Sequence, residues 1–162
     1  MEVADVDVKD VSQEQDLTYS FTVEQTPQEA FAAINDVRAW WLGEIEGETD
    51  KLGAVWTFRY KDVHYTKQQI TEFAPGKRVV WKVLDSRLNF VDDKTEWTGT
   101  EIVFDIAKKG SKTEVRFTHA GLVPEYECFE KCSNAWGMYI NGNLWELIAT
   151  GKGQPNKRES GA

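Results

Sequence analysis

Apolar and polar residues alternate from Thr18 to Glu24, with Tyr19, Phe21 and Val23 facing one way and Thr18, Ser20 and Thr22 the other. A period of two marks a strand with one buried face. Thr26-Pro27-Gln28-Glu29 then reads as a helix start, with Thr as N-cap, Pro at the first helical position and Glu three residues beyond the cap. Ala30, Phe31 and Ile34 give this short helix its apolar side, and Trp40-Trp41-Leu42 forms a second helical turn before Gly43. From there the period returns to two. Strands are predicted over Gly43–Glu48, Ala54–Lys61, Val63–Phe73, Val79–Leu84, Gly99–Ala107 and Thr113–Thr118, punctuated by glycine-bearing turns. Trp56, Phe58 and Tyr60 share a face, as do Val79, Trp81 and Val83; Ile102, Phe104 and Ile106; and Val115, Phe117 and His119.

The period changes once more after Pro124. Between it and the glycine stop at Gly151 lie roughly 26 residues, a helix of about 39 Å. On a helical wheel Phe129, Ser133, Trp136, Ile140, Asn143, Leu144 and Leu147 form one stripe. Ser133, Gly137 and Asn143 interrupt it where a helix that only filled a core would carry leucine. Trp145 falls nearly opposite, where it would meet a second copy or the N-terminal arm. Cys128 and Cys132 read as ordinary helix residues. The order is strand, two short helices, six strands, long helix. It predicts an α+β fold: a curved antiparallel sheet wrapped around a long C-terminal helix, with space enclosed between them. Residues 1–16 read as an acidic arm or, equally, as an added edge strand, 17–155 as the ligand-binding domain and 156–162 as a flexible tail.

Aromatic content changes this picture. Seven Trp, eight Phe and five Tyr are more rings than a mainly aliphatic core needs, and indole and phenol rings combine an apolar body with a polar tip. Trp40, Trp41, Trp56, Phe58, Trp81, Phe104, Phe117, His119, Ser133, Trp136, Ile140 and Asn143 are the candidate ligand-binding residues, with Tyr139 in the same aromatic set. An apolar ligand entering between sheet and helix is expected near Trp136 and His119, one on each wall. His119 itself has two readings: a general base or ligand partner, or a buried neutral ring satisfied by its neighbours. The second is favoured, because no nucleophile accompanies it. No catalytic residue is assigned.

Charge and metal chemistry narrow the field. Two histidines and a same-helix cysteine pair do not make a metal site, and the acidic runs lack calcium-loop spacing, so neither metal nor cofactor is expected. A formal charge of −8 argues against nucleic acid or anionic lipid as partner. With no basic-then-apolar leader and no run of membrane-spanning length, a cytoplasmic location is expected.

Several short runs resemble a known family. They are Trp97-Thr98-Gly99-Thr100, the segment Thr113–Pro124, and Trp136 followed by Gly151-Lys152-Gly153-Gln154-Pro155. Phe21-Thr22-Val23, Thr26-Pro27, Trp40-Trp41 and Pro75-Gly76-Lys77-Arg78-Val79-Val80-Trp81 add to them. Together they resemble the heat-shock-chaperone ATPase activator homologue family of the START-like (SRPBCC, birch-pollen-allergen-like) superfamily, over about residues 17–155. The resemblance implies a helix-grip fold with a deep apolar cavity between sheet and C-terminal helix. It implies binding of a small hydrophobic molecule, lipid-like or aromatic polyketide-like. A co-chaperone-like or other partner-binding regulator of the stress response is the alternative, and a cavity enzyme of cyclase or hydrolase type the second alternative. Chaperone activation in that family goes with longer eukaryotic members that carry a further N-terminal domain. The expected assembly is a monomer or weak homodimer, with a chaperone as the other candidate partner.

Overall fold

Among the described residues, seven strands form one wholly antiparallel sheet in the order β1-β7-β6-β5-β4-β3-β2. They are β1 Leu17–Val23, β2 Glu44–Gly47, β3 Val55–Tyr60, β4 His64–Ala74, β5 Arg78–Leu88, β6 Glu101–Lys109 and β7 Lys112–Ala120. The structure, a computed structural model, describes residues 16–92, 94–124 and 128–151. The expected arm and tail therefore lie outside the described residues, apart from Asp16. Helix α1, Pro27–Asn35, and a 3-10 turn, Val37–Ala39, follow β1. α1 starts as its sequence predicts. The Thr26 side chain accepts from the Glu29 N–H at 3.1 Å, and the Glu29 carboxylate accepts from the Thr26 N–H at 2.9 Å.

Curvature comes from two register shifts between β4 and β5, at Lys67/Gln68 and Ile70/Glu72. Each inserts an unpaired residue that bends the strand. The first also explains why β5 runs four residues beyond its predicted end. Val79, Trp81 and Val83 point inward, Leu84 and Asp85 are both exposed, and Ser86 and Leu88 then continue the buried face on the other parity. A strict alternation rule stops where the bulge begins.

The long helix holds the largest departure from expectation. It is helical from Phe129 to Thr150 in three parts: α2 Phe129–Gly137, a π-helical segment Met138–Leu144, and α3 Trp145–Thr150. The buried residues from its N-cap onward are Cys128, Cys132, Trp136, Ile140, Leu144 and Ile148, a strict four-residue series. Phe129, Ser133, Asn143 and Leu147 of the predicted stripe are only half-buried. In an uninterrupted α-helix each step of four overshoots a turn by about 40°, so this row would wind halfway round the helix. The π segment, in which the Trp145 N–H reaches back to the Ile140 carbonyl, widens the turn and returns the row to one face. The interruptions in the stripe also have structural partners. The Tyr19 hydroxyl meets the Ser133 carbonyl at 2.8 Å, Gly137 leaves room for it, and the Asn143 amide donates to the Trp40 carbonyl at 3.1 Å.

Between helix and sheet, the side chains of the two tryptophans after α1 fill the centre. Trp41 stacks on Phe58 at 4.0 Å and on Trp81 at 6.2 Å, and touches Trp136 at 5.0 Å. Trp40 lies against Trp81 and Phe104. The helix therefore meets much of the sheet through Trp41.

Candidate functional site

The site begins with the loop between β5 and β6. Thr98, Gly99 and Thr100 turn tightly, with Gly99 at a φ of 92° that favours glycine. The turn drives Trp97 into the core, where it is 2% exposed. The Thr100 hydroxyl donates to the Trp97 carbonyl at 2.6 Å and so holds the turn closed. Next to it, the buried Glu96 carboxylate accepts from the Cys128 N–H at 3.1 Å, pinning the loop to the start of the long helix.

A directional hydrogen-bond chain joins helix, sheet and loop. The Trp136 indole N–H donates to Nδ1 of His119 at 3.1 Å, and Nε2 of His119 lies 2.8 Å from the Thr100 hydroxyl. The Thr100 proton is already committed to the Trp97 carbonyl, so Nε2 carries the proton and donates. The ring is neutral with both nitrogens used. Burial first, and the neighbouring His64 second, push His119 down to about 3. This is the satisfied core histidine that the sequence favours. Trp136 and His119 bond to each other directly, so no ligand fits between them.

A cavity of about 340 Å³ opens beside this chain, between the first turns of the long helix, the β3–β4 turn and the β5–β6 loop. Trp41, Phe58, Trp97, Trp136, Tyr139 and His64 form its inner wall. Val63 and Lys131 stand at its exposed rim, with the Lys131 ammonium 5.7 Å from the centre of the Phe90 ring. Of the sequence-predicted residues, Trp41, Phe58 and Trp136 reach this wall. Trp40, Trp56, Trp81, Phe104, Phe117 and His119 pack behind it, and Ser133, Ile140 and Asn143 contact other parts of the fold.

Trp97, His64 and Cys132 were given no site role by the sequence reading. Trp97 lies in a turn where periodicity assigns no direction. His64 sits at the first position of β4, on the face it shares with buried Thr66 and Gln68; that face is polar and so gave no apolar signal. Cys132 lines the cavity, and contact with the Cys128 thiol, then burial, pushes its own thiol well up, so it is held protonated. Burial lowers His64 to about 4. Nε2 of His64 is buried without a hydrogen-bond partner, and the Trp97 indole N–H lies against the Cys132 thiol. Among the described residues no three His, Cys, Asp or Glu side chains gather as metal ligands, and no helix is long and apolar enough to cross a membrane.

Comparison with known proteins agrees with this architecture. The sequence profile of the family "Activator of Hsp90 ATPase homolog 1-like protein" matches residues 27–149. The chain belongs to that family. Among solved structures, the chain resembles the Aha1 dimer from Colwellia psychrerythraea at 22% identity and a TM-score of 0.68, over 85% of this chain and 98% of that one. It also resembles Mll3558 from Rhizobium loti, at 16% identity and a TM-score of 0.62 over 82% and 96% of the two chains. CalU16 from Micromonospora echinospora shares 14% identity and a TM-score of 0.59 over 83% and 76%. These likenesses establish the helix-grip fold. No curated protein matches the chain.

Proposed function

We propose that this Aha1-like domain binds a small, mainly apolar molecule in the cavity between its sheet and the start of its long helix. The observation that carries the reading is a cavity of about 340 Å³ walled by aromatic rings, with its one lining charge, Lys131, at the exposed rim. A volume of about 340 Å³ lies at the small end of the range that holds drug-sized ligands. It suits two or three fused rings better than a long-chain lipid. For so few atoms the expected dissociation constant lies between about 1 and 100 μM. Titration with 8-anilinonaphthalene-1-sulfonate, read by probe emission, tests it. Saturable one-to-one binding, competed by uncharged bicyclic aromatics, is expected; its absence from a folded protein rejects the reading.

A second reading is a co-chaperone-like regulator that binds a protein partner. Family membership and the dimeric Colwellia relative support it more directly than they support a small ligand. In this reading the chain forms a weak homodimer and acts on an Hsp90-type chaperone in the cytoplasm, where its two free cysteines would stay reduced. Purified Hsp90 should hydrolyse ATP faster when the chain is added in excess. An unchanged rate with no co-sedimentation rejects this reading.

A further inference from the structure

Only one sign of charge lines the cavity. Among its described lining residues Lys131 is the sole Asp, Glu, Lys or Arg, and it is exposed at the mouth. Farther in, His64 is held neutral by burial, and Cys132 is held protonated by the Cys128 thiol and by burial. The inner wall therefore offers no counter-charge, and a charged ligand group belongs at the mouth, where it stays hydrated. The Lys131 ammonium lies 5.7 Å from the centre of the Phe90 ring, another lining residue, and no carboxylate among the described residues pairs with it. Of the acids near it in the fold, Glu96 is buried and turned to the Cys128 N–H, and Glu130 is exposed outside the lining. A second ammonium, that of Lys61, lies 5.5 Å from the centre of the Tyr60 ring, which also lines the cavity. In a chain of net charge −8 the mouth thus carries two cations, each resting on a ring. A ring face attracts an ammonium but leaves its N–H donors available to an anion.

We infer that the cavity of this chain selects aromatic carboxylates, in which a body of two or three rings lies within the aromatic wall and the carboxylate meets Lys131 at the mouth. The inference rests on the cavity reading above and names its ligand class. Aromatic walls by themselves would favour a cation. Lys131 reverses that preference, because an ammonium at the mouth would face a like charge and an uncharged amide would gain no ion pair.

The test compares 2-naphthoate, 2-naphthamide and 2-naphthylmethylammonium, one ring system with three charges, by isothermal titration at neutral pH and low ionic strength. The proteins are the wild-type chain, Lys131→Met and Lys131→Glu; both variants change an exposed side chain, which the fold tolerates. In the wild type, naphthoate should bind about three- to fivefold more tightly than the amide, the strength of an exposed ion pair, and the ammonium most weakly. Salt at about 0.5 M should shrink the naphthoate advantage to less than about twofold. In Lys131→Met, naphthoate and amide should agree within about twofold with amide affinity retained, and in Lys131→Glu the ammonium should bind most tightly. Equal wild-type affinities for naphthoate and amide, or tightest wild-type binding of the ammonium, would overturn the inference and leave the cavity reading standing. A naphthoate preference that survives both substitutions would also overturn it, since the charge would then be read elsewhere. Binding of none of the three to a folded wild type would reject both the inference and the cavity reading.

Discussion

Two imidazoles flank Trp97 on the inside of this protein, His64 at 4.7 Å and His119 at 4.6 Å between ring centres, and both are held neutral by burial. Each has its proton affinity lowered on folding, so the unfolded chain takes up the extra protons as the solution acidifies. Their contribution to stability is complete above about pH 6.5, the unfolded value, and is lost as pH falls toward about 4 for His64 and about 3 for His119. At pH 5 both folded values have yet to be reached, so the loss is set by the unfolded histidine alone. It comes to about 2 kcal/mol for each ring. Urea midpoints at pH 7 and pH 5 should therefore differ by the equivalent of about 4 kcal/mol, and His64→Phe should remove about half of that difference. A midpoint insensitive to pH in this window would mean that the rings are solvated. Much of this was legible in the sequence: alternation with Val115 and Phe117 turns His119 inward, and the absence of a nucleophile makes it a core residue. Its partners were not legible. Thr100 and Trp136 come to it from a loop and a helix that only the closed fold brings together.

Spacing along the terminal helix shows where such reading stops and why. The wheel assumes one angular step per residue, and the sequence carries no mark that the step changes between Met138 and Leu144. Trp136, Ile140 and Leu144 lie near the middle of both the predicted and the observed stripe, so they were placed well. Toward the ends the errors grow, and Cys128, Cys132 and Ile148 take the buried places expected of Phe129, Ser133 and Leu147. The two interior glycines of this helix now separate. A Cβ at Gly142 would meet nothing within 4 Å, whereas one at Gly137 would stand 3.1 Å from the Tyr19 hydroxyl. Gly142→Ala should thus raise stability by about 0.5–1 kcal/mol through the smaller backbone entropy of the unfolded chain. Gly137→Ala should lose stability instead, because the crowded hydroxyl also makes the 2.8 Å bond to Ser133 that ties β1 to the helix. In a Tyr19→Phe background the oxygen is gone but the ring carbon 3.3 Å from the Gly137 Cβ position stays, so the gap between the two alanine substitutions should narrow without closing. Thermal melts of the six proteins test this; an equal gap in both backgrounds would show that the Tyr19 hydroxyl is not what Gly137 accommodates.

Taken together, the fold uses its rings for two purposes that the sequence alone merges. Alternation and ring count foresee a sheet and helix lined with aromatic side chains, but they cannot divide those rings between packing and cavity wall. That division depends on Trp41, which inserts between Phe58 and Trp136 and closes most of the space a bent sheet would leave. What remains is at one end, beside Ala135, Cys132 and Lys131 on the first turns of the helix. Ala135 is exposed and lines the cavity, so a larger side chain there can grow into the void without displacing the core. Ala135→Phe is accordingly expected to keep the native melting temperature while weakening anilinonaphthalene sulfonate binding by at least about thirtyfold, the equivalent of 2 kcal/mol of lost contact. The same variant separates the two proposed functions. A co-chaperone-like surface elsewhere on the molecule would keep its effect on Hsp90 ATP hydrolysis when the cavity is filled. If probe binding and ATPase stimulation fall together in a well-folded Ala135→Phe, the cavity mouth is itself the surface that the partner reads, and a small ligand there would compete with the partner. If probe binding is unchanged, the probe lies outside the cavity and the ligand reading fails.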